Sequence, residues 1–213
     1  MRAVVFTGPS IDAASVAEIA RVELRPPIKR GDIDALLAEP EPPTHIGIVD
    51  GQFLHGLMIS PKEILRALDR RTPVRVFGSS SMGALRATEL AGEGMVGVGR
   101  IFELYRSGAV EADDEVAIAF DPETLRPVCE PMVNIRIALA AAVAQGVVDE
   151  DLAERAVALA KARYFPERSY EGILRELEAM GHDVTAMRDF LGDRAPDAKR
   201  EDAVALLRQL TQP

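Results

Sequence analysis

Residues 74–90 read Val74-Arg75-Val76-Phe77-Gly78-Ser79-Ser80-Ser81-Met82-Gly83-Ala84-Leu85-Arg86-Ala87-Thr88-Glu89-Leu90. Val74 to Phe77 is a β-branched, apolar run of strand length that breaks at Gly78, and Met82 to Leu90 reads as a helix. Three serines therefore follow a strand and open a helix. Free N–H groups and the positive dipole end at such a place favour an anion or a developing oxyanion. Helix capping by itself also accounts for serines there.

The same alternation extends upstream. Arg2 to Phe6 is a short buried strand ending at Thr7-Gly8-Pro9-Ser10, with a helix capped by Ser10 or Asp12 after it. His45 to Val49 is a second strand, closed by Asp50-Gly51 and followed by a helix from about Ser60 to Leu68, in which Ile64, Leu65 and Leu68 recur at helical spacing. Continuous apolar strands alternating with helices predict an α/β three-layer core with a mostly parallel sheet. Ligands in such sheets sit beyond the carboxyl ends of the strands. That rule brings Gly8, Asp50-Gly51 and Gly78 to Gly83 into one locale. Between the first two strands, Arg25-Pro26-Pro27-Ile28-Lys29-Arg30-Gly31-Asp32 reads as a rigid extended connector with a turn before a short helix.

Downstream, Gly94-Met95-Val96-Gly97-Val98-Gly99-Arg100 matches part of a glycine-rich nucleotide pattern. It follows no clear strand, so a tightly turned loop against the sheet is expected instead. From Met132 onward apolar residues recur three and four apart, through Met132–Val147, Leu152–Arg163, Tyr170–Met180 and Ala203–Leu210, punctuated by Gly146, Pro166 and Gly181. The expected division is an α/β core over residues 1–145 and a helical C-terminal region over 146–213. The last helix, rich in charge, is expected at the periphery.

Of 213 residues, 47% are hydrophobic and 28% charged, which suits a globular core and excludes collagen-like and disordered classes. The single cysteine, Cys129, excludes an internal disulfide and a four-cysteine zinc site, and with the absence of a secretory leader it points to the cytoplasm. No apolar run is long enough to span a membrane. A net charge of -9 argues against nucleic-acid partners. No metal and no cofactor is expected.

Ser81-Met82-Gly83 resembles the nucleophile segment of Clp-type serine peptidases, where a Ser-Met-Gly begins a helix and the methionine N–H serves the oxyanion hole. A serine nucleophile wants a base, usually a histidine oriented by a carboxylate. Of His45, His55 and His182, only His55 lies in a loop beyond a strand end, near the carboxylates Asp50 and Glu63; Lys62 or another lysine-type base is the weaker candidate. Asp113-Asp114-Glu115 is expected as a solvated turn rather than a metal site, and Cys129 as a buried filler.

Several stretches together resemble the TfuA-like family. They are Gly8-Pro9, Arg25-Pro26-Pro27 with Arg30-Gly31-Asp32, Ile46-Gly47-Ile48-Val49-Asp50-Gly51, and Lys62-Glu63-Ile64-Leu65. Phe77 to Ala87 with Glu89-Leu90, Gly94 to Phe102, Asp113 to Val116 and Met132 to Arg136 follow in order. The resemblance implies a protein that works beside a YcaO enzyme in backbone thioamide formation on a ribosomal peptide or protein. Such partners are thought to release or deliver sulfur, or to activate the YcaO enzyme. Family members often carry a histidine just before Lys-Glu-Ile-Leu; here Pro61 stands there, which shifts attention to His55.

Resemblance and residues together give one expectation. Ser81 is the nucleophile with His55 and Asp50, acting on the thiocarboxyl terminus of a ThiS-like sulfur-carrier protein. Gly51, Met82 and Gly83 bind the oxyanion, and Gly8, Arg30, Glu63 and Arg86 bind substrate. A homodimer is left open. The alternative is a non-catalytic adaptor that binds and activates the YcaO enzyme; a weaker one is a nucleotide-binding regulator built on Gly8 and Gly94–Gly99.

Overall fold

A computed structural model describes residues 2–54, 56–70, 72 and 74–211. The chain forms two compact units, Met1–Glu111 joined by Lys199–Pro213, and Ala112–Ala198.

The first unit is built on five parallel strands: β1 Ala3–Phe6, β2 Glu23–Arg25, β3 His45–Ile48, β4 Arg75–Ser79 and β5 Val96–Val98. Their order is β2-β1-β3-β4-β5, with Val5 opposite Gly47 and Gly47 opposite Phe77. The three inner strands are those whose apolar runs stand out in the sequence. The two outer ones do not stand out: Glu23-Leu24-Arg25 is half-buried and charged, and the glycine-rich Val96-Gly97-Val98, expected as a loop, is itself the β5 edge strand. An edge strand has one neighbour and little apolar surface to bury, so its pattern is faint.

Helices α1 Ala13–Ile19, α2 Asp32–Leu37, α3 Pro61–Leu68, α4 Met82–Leu90 and α5 Arg100–Arg106 follow the strands in turn. Asp12 caps α1 by accepting the Ser15 N–H, and Ser60 caps α3 with Pro61 in its first turn. α4 lies directly on β3 and β4: a Cβ at Gly83 would stand 1.8 Å from the Ile48 carbonyl oxygen, so only glycine allows this approach.

The closing helix of this unit, numbered α10, is Ala198–Leu210. Ala203, Leu206, Leu207 and Leu210 are buried with Val5, Val49, Phe77 and Val98, together with Val16 of α1. A Cβ at Gly47 would stand 2.8 Å from Leu210, which shows how tightly α10 is laid on the sheet. The charge-rich last helix is thus a core element, contrary to the expectation that it is peripheral. The apolar spacing read over Ala203–Leu210 outweighs its charges, because the stripe at 203, 206, 207 and 210 is what the sheet buries.

The second unit holds α6 Met132–Ala144, α7 Glu150–Ala162, α8 Tyr170–Ala179 and α9 Thr185–Asp193 around a core that includes Ile135, Leu139, Ala156, Ile173, Leu177 and Phe190. Asp113-Asp114-Glu115 is a solvated turn only at Asp113, which is exposed. Asp114 pairs with Lys161 and Arg168, and Glu115, 3% exposed, pairs with Lys161 and Arg136. Cys129 is buried.

Candidate functional site

In a sheet ordered 2-1-3-4-5, successive connections turn opposite ways at β1 and β3, and the crevice beyond their carboxyl ends is where doubly wound sheets take ligands. In this protein that place is filled by Asp50. Its Oδ2 accepts the N–H groups of Gly8 at 2.8 Å and Ser10 at 3.0 Å, and its Oδ1 accepts the Ser10 hydroxyl at 2.6 Å. Asp50 is 1% exposed, so these three donors replace the water that its carboxylate would otherwise hold.

The serine run reaches the same carboxylate by two routes. Ser80 Oγ donates to Ser10 Oγ at 3.0 Å. Ser81 Oγ accepts from Lys199 Nζ at 3.0 Å, and Lys199 Nζ stands 4.0 Å from Asp50 Oδ1. Lys199, on the first turn of α10, is 2% exposed and Ser81 1%. Gly8, Asp50 and Ser81 are therefore gathered as the strand-end rule predicts, and Ser10, Ser80 and Lys199 join them.

The turn from β4 into α4 is strained. Ser80 has φ +63°, and the Ser81 N–H donates to the Ser79 carbonyl at 2.7 Å, closing a three-residue turn. A serine held in this left-handed region costs about 1–3 kcal/mol, and such outliers cluster at functional sites. The N–H groups of Met82 and Gly51 have no hydrogen-bond partner among the described residues, while that of Gly83 donates to the Val49 carbonyl at 3.3 Å.

The remaining candidates are engaged elsewhere. Glu63 is buried and accepts the Gly31 N–H at 2.7 Å, fixing the turn before α2. Arg86 is spent on the Ile59 carbonyl at 3.0 Å and on both oxygens of Glu89 at 2.7 Å. Arg30 is exposed, with its backbone N–H on the Leu57 carbonyl. His55 lies outside the described residues. His45 stacks on Phe77, and burial followed by the Arg75 charge lowers its pKa, which fits a neutral, structural ring.

Lys199 was missed because a lysine in a charged segment gives no signal by its type. A signal existed in the spacing: 199, 203, 206 and 210 fall on one helix face, so a lysine shares the stripe that buries Ala203, Leu206 and Leu210. Asp202, also buried, accepts the N–H groups of Arg100 and Ile101 at 2.8 Å each, and so ties α10 to the start of α5. Burial pushes its pKa up to about 6, against the opposing pull of those two N–H groups.

Among the described residues, no group of three or more His, Cys, Asp or Glu is placed to hold a metal, and no helix is long and apolar enough to cross a membrane. No curated protein gives a significant match to the chain. Comparison with known families gives a match to the TfuA-like protein family over residues 50–169, a span that contains Asp50 and the serine run but neither Ser10 nor Lys199. The match covers more than half of the chain, which belongs to the TfuA-like family and through it is associated with the YcaO thioamide system.

Proposed function

We propose that this protein releases sulfur for a YcaO enzyme by hydrolysing a thiocarboxylated sulfur-carrier protein, with Ser81 as nucleophile and Lys199 as its base. The observation that carries this reading is the 3.0 Å hydrogen bond from Lys199 Nζ to Ser81 Oγ, beside Asp50 and out of water. Serine–lysine pairs perform acyl transfer without a histidine. In the reactive form Lys199 is the neutral amine. Ser81 Oγ bonds to the thiocarboxyl carbon while its proton passes to Lys199. Negative charge then develops on the carbonyl oxygen, and the Met82 and Gly51 N–H groups are the donors available to it.

A thiocarboxylate arrives with its sulfur already ionised. The C–S bond can therefore break to give hydrosulfide only once the sulfur receives a proton, and the proton taken from Ser81 balances that requirement. Water, deprotonated by Lys199, next attacks the Ser81 ester; Lys199 returns that proton to the departing Ser81 Oγ, and the carboxylic acid released on the carrier ionises to a carboxylate. Mass spectrometry of a thiocarboxylated carrier incubated with the protein alone tests the reading. Sulfur is lost with the intact protein and retained with Ser81→Ala, which still binds the YcaO enzyme. Full thioamidation supported by Ser81→Ala would sink the hydrolase reading.

One observation favours an adaptor instead: Ser81, Lys199 and Asp50 are each no more than 2% exposed, as suits a structural core. An adaptor stimulates the YcaO enzyme when free sulfide is supplied, and changes at Ser81 and Asp50 that preserve the fold leave that stimulation intact.

A further inference from the structure

The reaction proposed above requires a proton on sulfur and leaves Ser80 without a task. Ser80 is held at φ +63° between Ser79 and Ser81, in a turn that a glycine would occupy without strain. Its hydroxyl is fully buried and donates to Ser10 Oγ at 3.0 Å; Ser10 Oγ donates to Asp50 Oδ1 at 2.6 Å. The same Oδ1 lies 4.0 Å from Lys199 Nζ, which donates to Ser81 Oγ. Ser80, Ser10 and Asp50 thus form one hydrogen-bonded run and Lys199 and Ser81 a second, with 4.0 Å between Lys199 Nζ and Asp50 Oδ1, and the outer ends of the two runs are neighbouring hydroxyls on a single turn.

We propose that Ser80 is a second catalytic hydroxyl, the acid that protonates the departing sulfur. The proposal rests on the hydrolytic reading and assigns its missing proton donor. Ser81 Oγ forms the bond to carbon and gives its proton to the Lys199 amine. As the C–S bond breaks, the electron pair stays on sulfur, which takes the Ser80 proton and leaves as hydrosulfide. The Lys199 ammonium passes the Ser81 proton to Asp50, which needs their 4.0 Å separation to close by about 1 Å to hydrogen-bond distance; the protonated Asp50 then returns a proton to Ser10 as Ser10 gives its own to Ser80. The sum is one proton moved from Ser81 to sulfur, with no oxidant or reductant. Ser80 touches the reacting atom; Ser10 is a positioning and relay residue.

Two substrates with one acyl peptide separate this role from a structural one: the peptide thiocarboxylate, whose sulfur must be protonated, and its p-nitrophenyl ester, whose leaving group needs no proton. Ser80→Gly keeps the positive-φ turn and removes only the hydroxyl. The ratio of thiocarboxylate to ester turnover is expected to fall about 100-fold in Ser80→Gly, and in the same direction in Ser10→Ala. An unchanged ratio, whether both rates fall together or neither falls, overturns the proposal. So does an acyl group trapped on Ser80 rather than Ser81. Ser81→Ala that cleaves both substrates at the native rate would instead sink the parent hydrolytic reading, and this one with it.

Discussion

Lys199 and Arg168 are each 2% exposed, two buried cations held in opposite ways. In the helical unit, Arg168 spends its guanidinium on the Ala160 carbonyl at 3.1 Å, the Asp114 carbonyl at 2.9 Å and the Asp114 carboxylate at 2.5 Å. Burial alone would raise Asp114, but hydrogen bonds from Arg168 and Lys161 outweigh it and leave that carboxyl below its usual range. In the α/β unit, Lys199 meets a hydroxyl at 3.0 Å and stands 4.0 Å from its carboxylate. A guanidinium cannot give up its proton in a protein, whereas an ammonium can. Arg168 is thus suited to architecture, and Lys199 to moving a proton.

The strongest way to break that contrast is to exchange the two side-chain types. Lys199→Arg keeps the charge and removes the base, so sulfide release should fall by about 1,000-fold or more, an activity loss with the fold still shown by circular dichroism. Arg168→Lys loses the fork instead, and urea unfolding should report a loss of about 2–4 kcal/mol. Native turnover in Lys199→Arg would place both cations in the architectural class.

A second test uses the sign of the pH dependence. The folded state raises Asp202 to about 6, from an ordinary value of 3.8. The proton is therefore bound more tightly when folded, and this contribution is whole below pH 4 and lost as pH rises to about 6. Asp202→Asn should flatten that window, by on the order of 2–3 kcal/mol. Asp114 is lowered, so its contribution is present above pH 4 and lost as pH falls, and Asp114→Asn should remove that acid-side loss. Unfolding free energies from pH 3 to 7 check both signs.

The smallest effect is expected inside the serine run itself. Ser79 Oγ is buried with no hydrogen-bond partner among the described residues, unlike Ser80 and Ser81. Removing an unsatisfied hydroxyl is neutral or stabilising by up to about 1 kcal/mol. Ser79→Ala should leave sulfide release within about twofold, and calorimetry should show an unchanged or higher melting temperature. A large loss would mean that the run works as three hydroxyls.

Much of the site was legible because strand ends announce themselves. Phe6, Val49 and Phe77 close apolar runs, so the chain alone assigns Gly8, Asp50 and Ser81 to one edge of the sheet. Glu63 and Arg86 were legible only as charged residues near that edge. Each satisfies backbone groups, Glu63 the Gly31 N–H and Arg86 the Ile59 carbonyl, because buried polar atoms must find partners wherever packing leaves them. No comparable signal marks β2 and β5, whose three-residue lengths carry almost no period.

The sequence by itself determined the alternating strands and helices, the strand-end locale and the family, since each is written in residues close together along the chain. Only the tertiary structure decided what Ser81 touches. Lys199 lies 118 positions away, and a contact of that separation depends on α10 returning to bury its apolar stripe against β1, β3 and β4. Burial of Ala203, Leu206, Leu207 and Leu210 carries the lysine in with them: local spacing puts Lys199 on that helix face, and packing alone decides that the face meets the serine turn.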